Sequence, residues 1–185
     1  LHLCHHNLEK ITDTTSMTTH DLLLEVCMAA KYEGNSIERY YTKHKLTNPD
    51  TKSQICTVLA RSFADIGDII RRRDLYRGND EEKKQRDKLE QKLKEIFQKI
   101  QDKNRDKLSD LSIDKVREYW WYANRAKVWE AITCDVHGSD YFRPTCSMNG
   151  SGAQANNKCR CKDKNGKDDT DQVPTYFDYV PQYLR

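Results

Sequence analysis

The sequence predicts a mainly α-helical fold: a helical bundle stapled by disulfides, with a long cysteine-containing loop region. Three observations lead to this fold class. Four segments of the chain place apolar residues three or four positions apart, which is the spacing of an amphipathic helix. Seven cysteines are spread over the 185 residues. The stretch that follows Cys134 is rich in Gly, Ser, Asn, Asp and Lys and shows no helical period, which is typical of a long loop.

The first two segments predict helices that each bury one face. From His20 to about Tyr41 the pattern is helical, although residues 34–36, Gly-Asn-Ser, are expected to bend or end the helix. The second segment, ICTVLARSFADIGDII, carries one apolar stripe that consists of Ile55, Leu59, Phe63, Ile66 and Ile70. Gly67 interrupts this stripe and lowers helix propensity by about 1 kcal/mol relative to alanine. We therefore expect Gly67 to permit close packing or a bend.

The third segment is charge-rich and predicts a long, exposed helix. Only a narrow apolar stripe runs through it, formed by Leu89, Leu93, Ile96, Phe97 and Ile100. Acidic residues precede lysine or arginine by four positions at several places, which is the order that stabilises a helix. We expect this helix to rest one edge on the core.

The fourth segment, REYWWYANRAKVWEAITC, contains all three tryptophans of the chain. Its apolar residues cover a wide arc of a helix, so we expect this helix to be buried on more than one side. Arg117, Trp121, Arg125 and Trp129 recur at steps of four, and side chains at that spacing are neighbours. The spacing predicts an Arg/Trp ladder, with each guanidinium within about 6 Å of an indole ring. The alternative is that both arginines extend to water.

The cysteines favour disulfides formed in an oxidising compartment. They are Cys4, Cys27, Cys56, Cys134, Cys146, Cys159 and Cys161, and only the last two form a close pair. Zinc sites usually draw their ligands from close pairs, which makes zinc the weaker interpretation. The odd number leaves at least one cysteine free or bonded to a partner outside this chain. The connectivity stays open at this stage.

A zinc-stabilised helical module that binds nucleic acid inside the cell is the alternative. It would use Cys134, Cys146, Cys159 and Cys161 as ligands. Histidines that lie close to cysteines are further possible ligands, namely His5, His6 and His137.

Two basic clusters are candidate glycan-binding sites. The first consists of Arg71, Arg72, Arg73, Arg77, Lys83, Lys84 and Arg86. Arginine can form two parallel hydrogen bonds with a sulfate group, so this cluster is a candidate polyanion site of the heparan-sulfate type. The second cluster consists of Lys158, Arg160, Lys162, Lys164 and Lys167, and nearby aspartates dilute its charge. The alternative for both clusters is an ordinary solvated surface.

Composition and motifs exclude several functional classes. The formal net charge of +3 is too small to indicate binding of nucleic acid over the whole surface. No apolar run reaches the roughly 20 residues that a membrane-spanning helix needs. The common nucleophile, phosphate-binding and metallohydrolase motifs are missing from the sequence. We therefore expect no enzymatic activity, no metal, no cofactor and no nucleic-acid partner.

Four blocks in order carry a family resemblance: LLLEVCMAAKYEG, FADIGDIIRRRDLYRG, REYWWYANRAKVWEAITC and PTYFDYVPQYLR. Together they resemble a Duffy-binding-like domain, of the alpha class found in the variant erythrocyte membrane protein 1 antigens of Plasmodium falciparum. DIGDI at 65–69 and PQYLR at 181–185 correspond to the hallmark blocks of that family. The resemblance extends over nearly the whole chain, and family members continue beyond the PQYLR block.

The resemblance implies a partial adhesion domain on the surface of the infected erythrocyte, attached to the membrane only through parts of the protein outside this chain. The implied partners are host erythrocyte or endothelial receptors, heparan-sulfate-type or blood-group glycans, and antibodies. The implied roles are rosetting, cytoadherence and immune evasion through antigenic variation. The resemblance also divides the chain into a helical scaffold at 1–136, a variable cysteine-rich loop at 137–173 and the start of a further helical part at 174–185.

Overall fold

The computed structural model describes residues 17–47, 54–75, 78–137, 143–148 and 151–185. In chain order its helices are α1 (Thr19–Thr47), α2 (Ile55–Ile70), α3 (Asp80–Lys103), α4 (Arg105–Leu108) and α5 (Ile113–Ile132). Four short strands and two 3₁₀ turns follow α5. The predicted mainly α-helical, disulfide-stapled fold is confirmed.

Helix α1 is longer than the sequence predicts because it continues through Gly34. An added Cβ at this glycine would lie 2.0 Å from the carbonyl oxygen of Ile132, so the glycine lets α1 and α5 touch backbone to backbone. The expected bend or end at residues 34–36 is therefore wrong. After Ile37 no side chain of α1 is buried, and its last turns lie on the surface.

Helix α2 is the most deeply buried helix in the described part of the chain. Its predicted apolar stripe is buried throughout, and Phe63 packs between Trp121 and Trp129 with ring centroids 5.2 Å from each. Gly67 faces the Trp121 ring, where an added Cβ would lie 2.7 Å from Cζ2. Close packing is thus the role of this glycine.

Helices α3 and α5 follow their predictions closely. Asn79 and Glu82 form a capping box at the start of α3, whose predicted stripe is buried against the core. Ser112 accepts a hydrogen bond from the backbone N–H of Lys115 and so begins α5. All three tryptophans of α5 are buried, as expected for a helix that packs on more than one side.

The cysteine-rich segment contains strands that the sequence did not predict. Strands β1 (Cys146–Met148) and β2 (Ser151–Ala153) pair antiparallel, as do β3 (Cys161–Lys162) and β4 (Asp168–Asp169). Each strand has only two or three residues, which is too short to show an alternating pattern in the sequence.

The C-terminal segment forms 3₁₀ turns at Phe177–Tyr179 and Gln182–Leu184 and packs against α2. The two prolines of this segment agree with its lack of a continuous helix.

Candidate functional site

Two disulfides involve the cysteine-rich segment, one to α2 and one within the segment itself. Cys56 of α2 bonds to Cys159, and Cys146 bonds to Cys161, with S–S distances of 2.03 and 2.05 Å. Cys27 and Cys134 carry free, half-buried thiols, so the prediction that they form disulfides is not met in this structure. Burial raises the pKa of the Cys27 thiol to about 11, which keeps the thiol protonated at neutral pH. Cys4 lies outside the described residues.

The disulfides contradict the zinc-module alternative. Cys146, Cys159 and Cys161 are bonded to other cysteines and have no thiolate to offer a metal. Over the described ranges, no group of three or more His, Cys, Asp or Glu side chains is placed to hold a metal ion. His5 and His6 lie outside the described residues.

A buried carboxylate, Asp178, joins the C-terminal segment to α5. Its Oδ2 accepts hydrogen bonds from the indole N–H of Trp121 at 2.9 Å and from Nε of Arg125 at 2.7 Å. Its Oδ1 accepts a further bond from Nη2 of Arg125 at 2.8 Å. Arg125 also donates to the carbonyl of Thr175 at 2.8 Å. The carboxylate is 1% exposed, and this bidentate pairing compensates its burial.

The predicted Arg/Trp ladder along α5 is wrong. The Arg125 guanidinium lies 5.5 Å from the Tyr176 ring centroid and 5.3 Å from that of Tyr179. The Arg117 guanidinium lies 5.4 Å from the ring of Phe97 and stacks on no tryptophan in the described chain. Neither arginine extends to water either, since both side chains are buried. Groups distant in sequence determine their directions.

Arg117 fastens α5 to the end of α2 and to α3. It donates to the carbonyl oxygens of Ile70 at 2.5 Å and Ile69 at 3.2 Å. It also pairs with both carboxylate oxygens of Glu90, at 2.7 and 2.9 Å. A cation from another helix thus binds two carbonyls at the C-terminal end of α2, and that of Ile69 also accepts the backbone N–H of Arg72.

Arg185 connects the two hallmark blocks to each other. Its guanidinium pairs with Asp65 at 3.0 Å and, through a shorter contact, with Asp68, and its Nε donates to the carbonyl of Val180. Burial raises the pKa of Asp65 to about 6 and also raises that of Asp68, while Arg185 acts in the opposite direction on both. The DIGDI and PQYLR blocks thus form one ion-paired contact.

The members of the first basic cluster differ in burial and in ion pairing. Arg71 is 2% exposed and pairs with Asp68, so it contributes to the core and cannot reach a glycan. Arg73 pairs with Glu118 at 2.5 Å, and Arg72 lies 3.6 Å from Glu90. Arg86 pairs with Asp74 at 3.4 Å. Arg72, Arg73, Lys83 and Lys84 remain exposed, and Arg77 lies outside the described residues.

The second basic cluster also contains both buried and exposed side chains. Arg160 is buried and donates to Thr133 and to the carbonyl of Glu130, so its role is to hold the cysteine-rich segment on α5. Lys162 pairs with Asp168 at 2.5 Å. Lys164 and Lys167 are exposed, and Lys158 is half-buried.

Sequence reasoning missed the structural roles of Asp178 and Arg185. Neither residue lies in a cluster of charged residues or in a known catalytic or ligand-binding sequence motif. Their only signal is that they belong to the C-terminal family block PTYFDYVPQYLR, which gives a resemblance but no partner. Tyrosines are numerous among the exposed large apolar residues, and Tyr119, Tyr122, Tyr176 and Tyr183 are each more than half exposed.

No helix in the described part of the chain has the length and apolar character that crossing a bilayer requires. Among curated protein sequences, none matches this chain.

Solved structures with the same fold are available for comparison. The NTS-DBL1(alpha-1) domain of the Plasmodium falciparum membrane protein 1 (PfEMP1) of the varO strain is 37% identical, with a TM-score of 0.73; 99% of this chain and 40% of that one are covered. The ICAM-1-binding PfEMP1 IT4var13 DBLbeta domain is 30% identical, with a TM-score of 0.67; 99% and 39% are covered. A PfEMP1 DBLb domain bound to human ICAM-1 is 25% identical, with a TM-score of 0.60; 99% and 36% are covered.

This chain therefore spans about two fifths of the length of the structures to which it is similar. Duffy-binding domains of the PfEMP1 group are adhesion modules and not enzymes, in agreement with the expectation of no enzymatic activity. The sequence model of the Duffy binding domain matches residues 1–185, and the chain belongs to that family.

Proposed function

We propose that this chain is part of an extracellular adhesion domain that binds a receptor on host cells. One observation carries the proposal: the family match covers the whole chain, and the similar structures include domains whose names state that they bind ICAM-1. The buried hub around Asp178 supports it, because a surface that binds a partner without rearranging needs a rigid support. The exposed tyrosines supply residues that are enriched in protein interfaces.

The proposed location is the surface of the infected erythrocyte, with membrane attachment outside this chain. The proposed partners are erythrocyte or endothelial receptors, and antibodies that recognise exposed segments. Rosetting, cytoadherence and antigenic variation are the roles that follow from this location. The division into scaffold 1–136, variable loop 137–173 and following helical part 174–185 stays a prediction.

A sulfated glycan is a candidate ligand for the exposed remainder of the first cluster. Arg72, Arg73, Lys83 and Lys84 place four cations at the end of α2 and the start of α3. The carboxylates that face Arg72 and Arg73 weaken the local field and compete with a sulfate group. Blood-group glycans are a further candidate class, without a residue assigned to them.

Binding of the full-length protein to red cells and endothelial cells tests the adhesion proposal, together with a glycan array. We expect saturable binding to at least one cell type. Lack of binding to both cell types and to every glycan would overturn the proposal.

Heparin chromatography tests the sulfated-glycan candidate separately. Replacing Arg72, Arg73, Lys83 and Lys84 with glutamine should lower the salt concentration of elution and reduce the salt dependence of binding. Unchanged elution would reject this cluster as the site.

A further inference from the structure

The hairpin that joins β3 to β4 carries an asparagine–glycine pair at its tip. Asn165 and Gly166 are both exposed, and they lie between Lys164 and Lys167 of the second basic cluster. The side-chain amide of Asn165 forms no hydrogen bond with any described residue, since only the backbone N–H of Asn165 is engaged. The amide carbon Cγ is therefore open to attack by a nucleophile.

The backbone nitrogen of Gly166 is the nucleophile that lies closest along the chain to this carbon. Glycine has no side chain, and the φ of Gly166 is +76°, a conformation that other residues rarely adopt. No described atom lies within 4 Å of the position that a Cβ on Gly166 would take. A bond between this nitrogen and Cγ of Asn165 closes a five-membered ring, and the glycine presents no steric obstacle to it.

One hydrogen bond has to open before the ring can close. The Gly166 N–H donates to the carbonyl oxygen of Asp163 at 3.0 Å, while Oδ1 of Asp163 accepts the N–H groups of Asn165 and Lys167, both at 2.8 Å. The tip is exposed, so opening that one bond slows the reaction by no more than about tenfold. The flanking strands have only two residues each, and hairpins this short open readily.

The other asparagines in the described ranges lack this combination. Asn165 alone among them is followed by glycine. The side-chain amides of Asn104 and Asn124 donate to helical carbonyl oxygens, those of Ile100 and Trp120, both at 2.7 Å. A following side chain and a hydrogen-bonded amide both oppose ring closure, so Asn165 is the reactive asparagine of the described chain.

We propose that Asn165 is a site of spontaneous deamidation through a cyclic imide. Hydroxide removes the proton from the Gly166 nitrogen, and this nitrogen bonds to Cγ of Asn165. The Cγ–Nδ2 bond then breaks, and the amide nitrogen takes up a proton from water and leaves as ammonia. Water opens the ring at either of its two carbonyls, which gives aspartate or isoaspartate at position 165. The reaction consumes only water.

The reaction changes the tip of the loop in protein that is already folded. Each event places one negative charge between Lys164 and Lys167, so the positive charge of the second basic cluster declines with time. Isoaspartate also adds a main-chain carbon between the two N–H groups that Asp163 accepts, which weakens the hairpin. This inference is independent of the adhesion proposal.

Peptide mass spectrometry of the full-length protein tests the inference. The folded protein is kept at pH 7 and at pH 8, sampled over several weeks and digested at mildly acidic pH to prevent conversion during digestion. We expect the peptide with Asn165 to gain the mass of an exchange of NH₂ for OH and to separate into aspartate and isoaspartate forms. Conversion should be about tenfold faster at pH 8, because hydroxide generates the attacking nitrogen anion.

Variants and internal controls show whether the asparagine–glycine pair is responsible. Asn165→Gln should stop the reaction, since glutamine would have to close a larger ring. Gly166→Ala should slow it about tenfold or more, because a methyl group hinders the nitrogen and disfavours the positive φ. Asn104 and Asn124 should stay unmodified in the same digest.

A free peptide of residues 162–169 gives the rate without the fold. No conversion at Asn165 would overturn the inference, and conversion of the free peptide would then show that the folded hairpin prevents the reaction. An aspartate product without isoaspartate, equal rates at both pH values, or the same mass gain in Asn165→Gln would overturn it as well.

Discussion

The cysteine-rich segment and the C-terminal segment both contact α2 and α5, but different interactions hold them there. Residues 174–185 are held by buried ion pairs and hydrogen bonds that centre on Asp178 and Arg185. The described part of the cysteine-rich segment is held on the helices by the Cys56–Cys159 disulfide and by hydrogen bonds of Arg160 and Trp129, while the Cys146–Cys161 disulfide lies within the segment. The C-terminal segment therefore depends on several side chains of fixed type and position. The cysteine-rich segment depends only on its cysteines and on Arg160.

This difference gives a physical reason why one segment can tolerate sequence change better than the other. Between the anchors of the cysteine-rich segment most side chains are exposed, and buried ones such as Ala155 are few. In the C-terminal segment, Thr175 and Asp178 contribute polar groups to the core. A substitution at either position leaves a buried partner without its hydrogen bonds, which lowers the free energy of unfolding.

Replacing Asp178 with alanine should have the largest effect. The buried Arg125 would lose its carboxylate and the Trp121 N–H its acceptor, which should lower the free energy of unfolding by about 3–5 kcal/mol. Denaturant unfolding monitored by tryptophan fluorescence measures this change. Asp171→Ala, at an exposed position seven residues earlier, is the control and should change stability by less than about 0.5 kcal/mol. A loss below about 1 kcal/mol for Asp178→Ala would show that the hub contributes little.

Removing each disulfide in turn measures how much each one contributes to the stability of the protein. We expect Cys56→Ala/Cys159→Ala and Cys146→Ala/Cys161→Ala each to lower stability by about 2–4 kcal/mol. The first bridge closes a separation of 103 residues and the second one of 15. Because a longer loop loses more entropy on closure, the first loss should exceed the second by about 1–2 kcal/mol. Equal losses in thermal unfolding would argue against loop entropy as the main cause.

The sequence predicted the helices and their buried faces, which depend on the local spacing of apolar residues. It did not predict side-chain contacts between residues that are far apart in the chain. The stripes of α2 and α3 repeat every three or four residues, so their burial followed directly from the pattern. The direction of Arg125 depends on Asp178, 53 residues away, and no local spacing contains that information. Gly34 shows the same limit, because only the approach of Ile132 reveals why the helix tolerates a glycine.

The candidate site followed the same rule. Clustered basic residues were visible as a charge run, but the structure shows that Arg71 is buried among acidic and aromatic groups.

Alanine substitution at two glycines measures how tightly the packed region and the covalently held region each accommodate an added methyl group. At Gly67 the added Cβ would meet the Trp121 ring at 2.7 Å, and at Gly152 it would meet the Pro144 carbonyl oxygen at 2.4 Å. We expect Gly67→Ala to cost about 1–3 kcal/mol, although alanine is the better helix former, because the core cannot move aside. Gly152→Ala should cost less, because Gly152 and Pro144 are exposed and the added methyl group displaces no buried side chain. The reverse order in denaturant unfolding would contradict this account.

Asp65→Asn should have the smallest effect, and the size of its effect on stability depends on pH. Burial raises the pKa of Asp65 to about 6, above its ordinary value of 3.8. A carboxyl with a raised pKa in the folded protein stabilises it most below the unfolded pKa, and this contribution is lost as the pH rises through about 6. At pH 8 the ionised wild-type carboxylate carries a desolvation cost that Arg185 offsets only in part, so the asparagine variant should be at least as stable. Any advantage of the variant should shrink below pH 4, where the wild-type carboxyl is protonated too.

Melting temperatures of both proteins between pH 3.5 and 8 measure the difference. The contributions of the other titrating groups largely cancel, because both proteins contain them. A variant that is clearly less stable at pH 8 would mean that pairing with Arg185 outweighs burial, and that this contact stabilises the joined blocks.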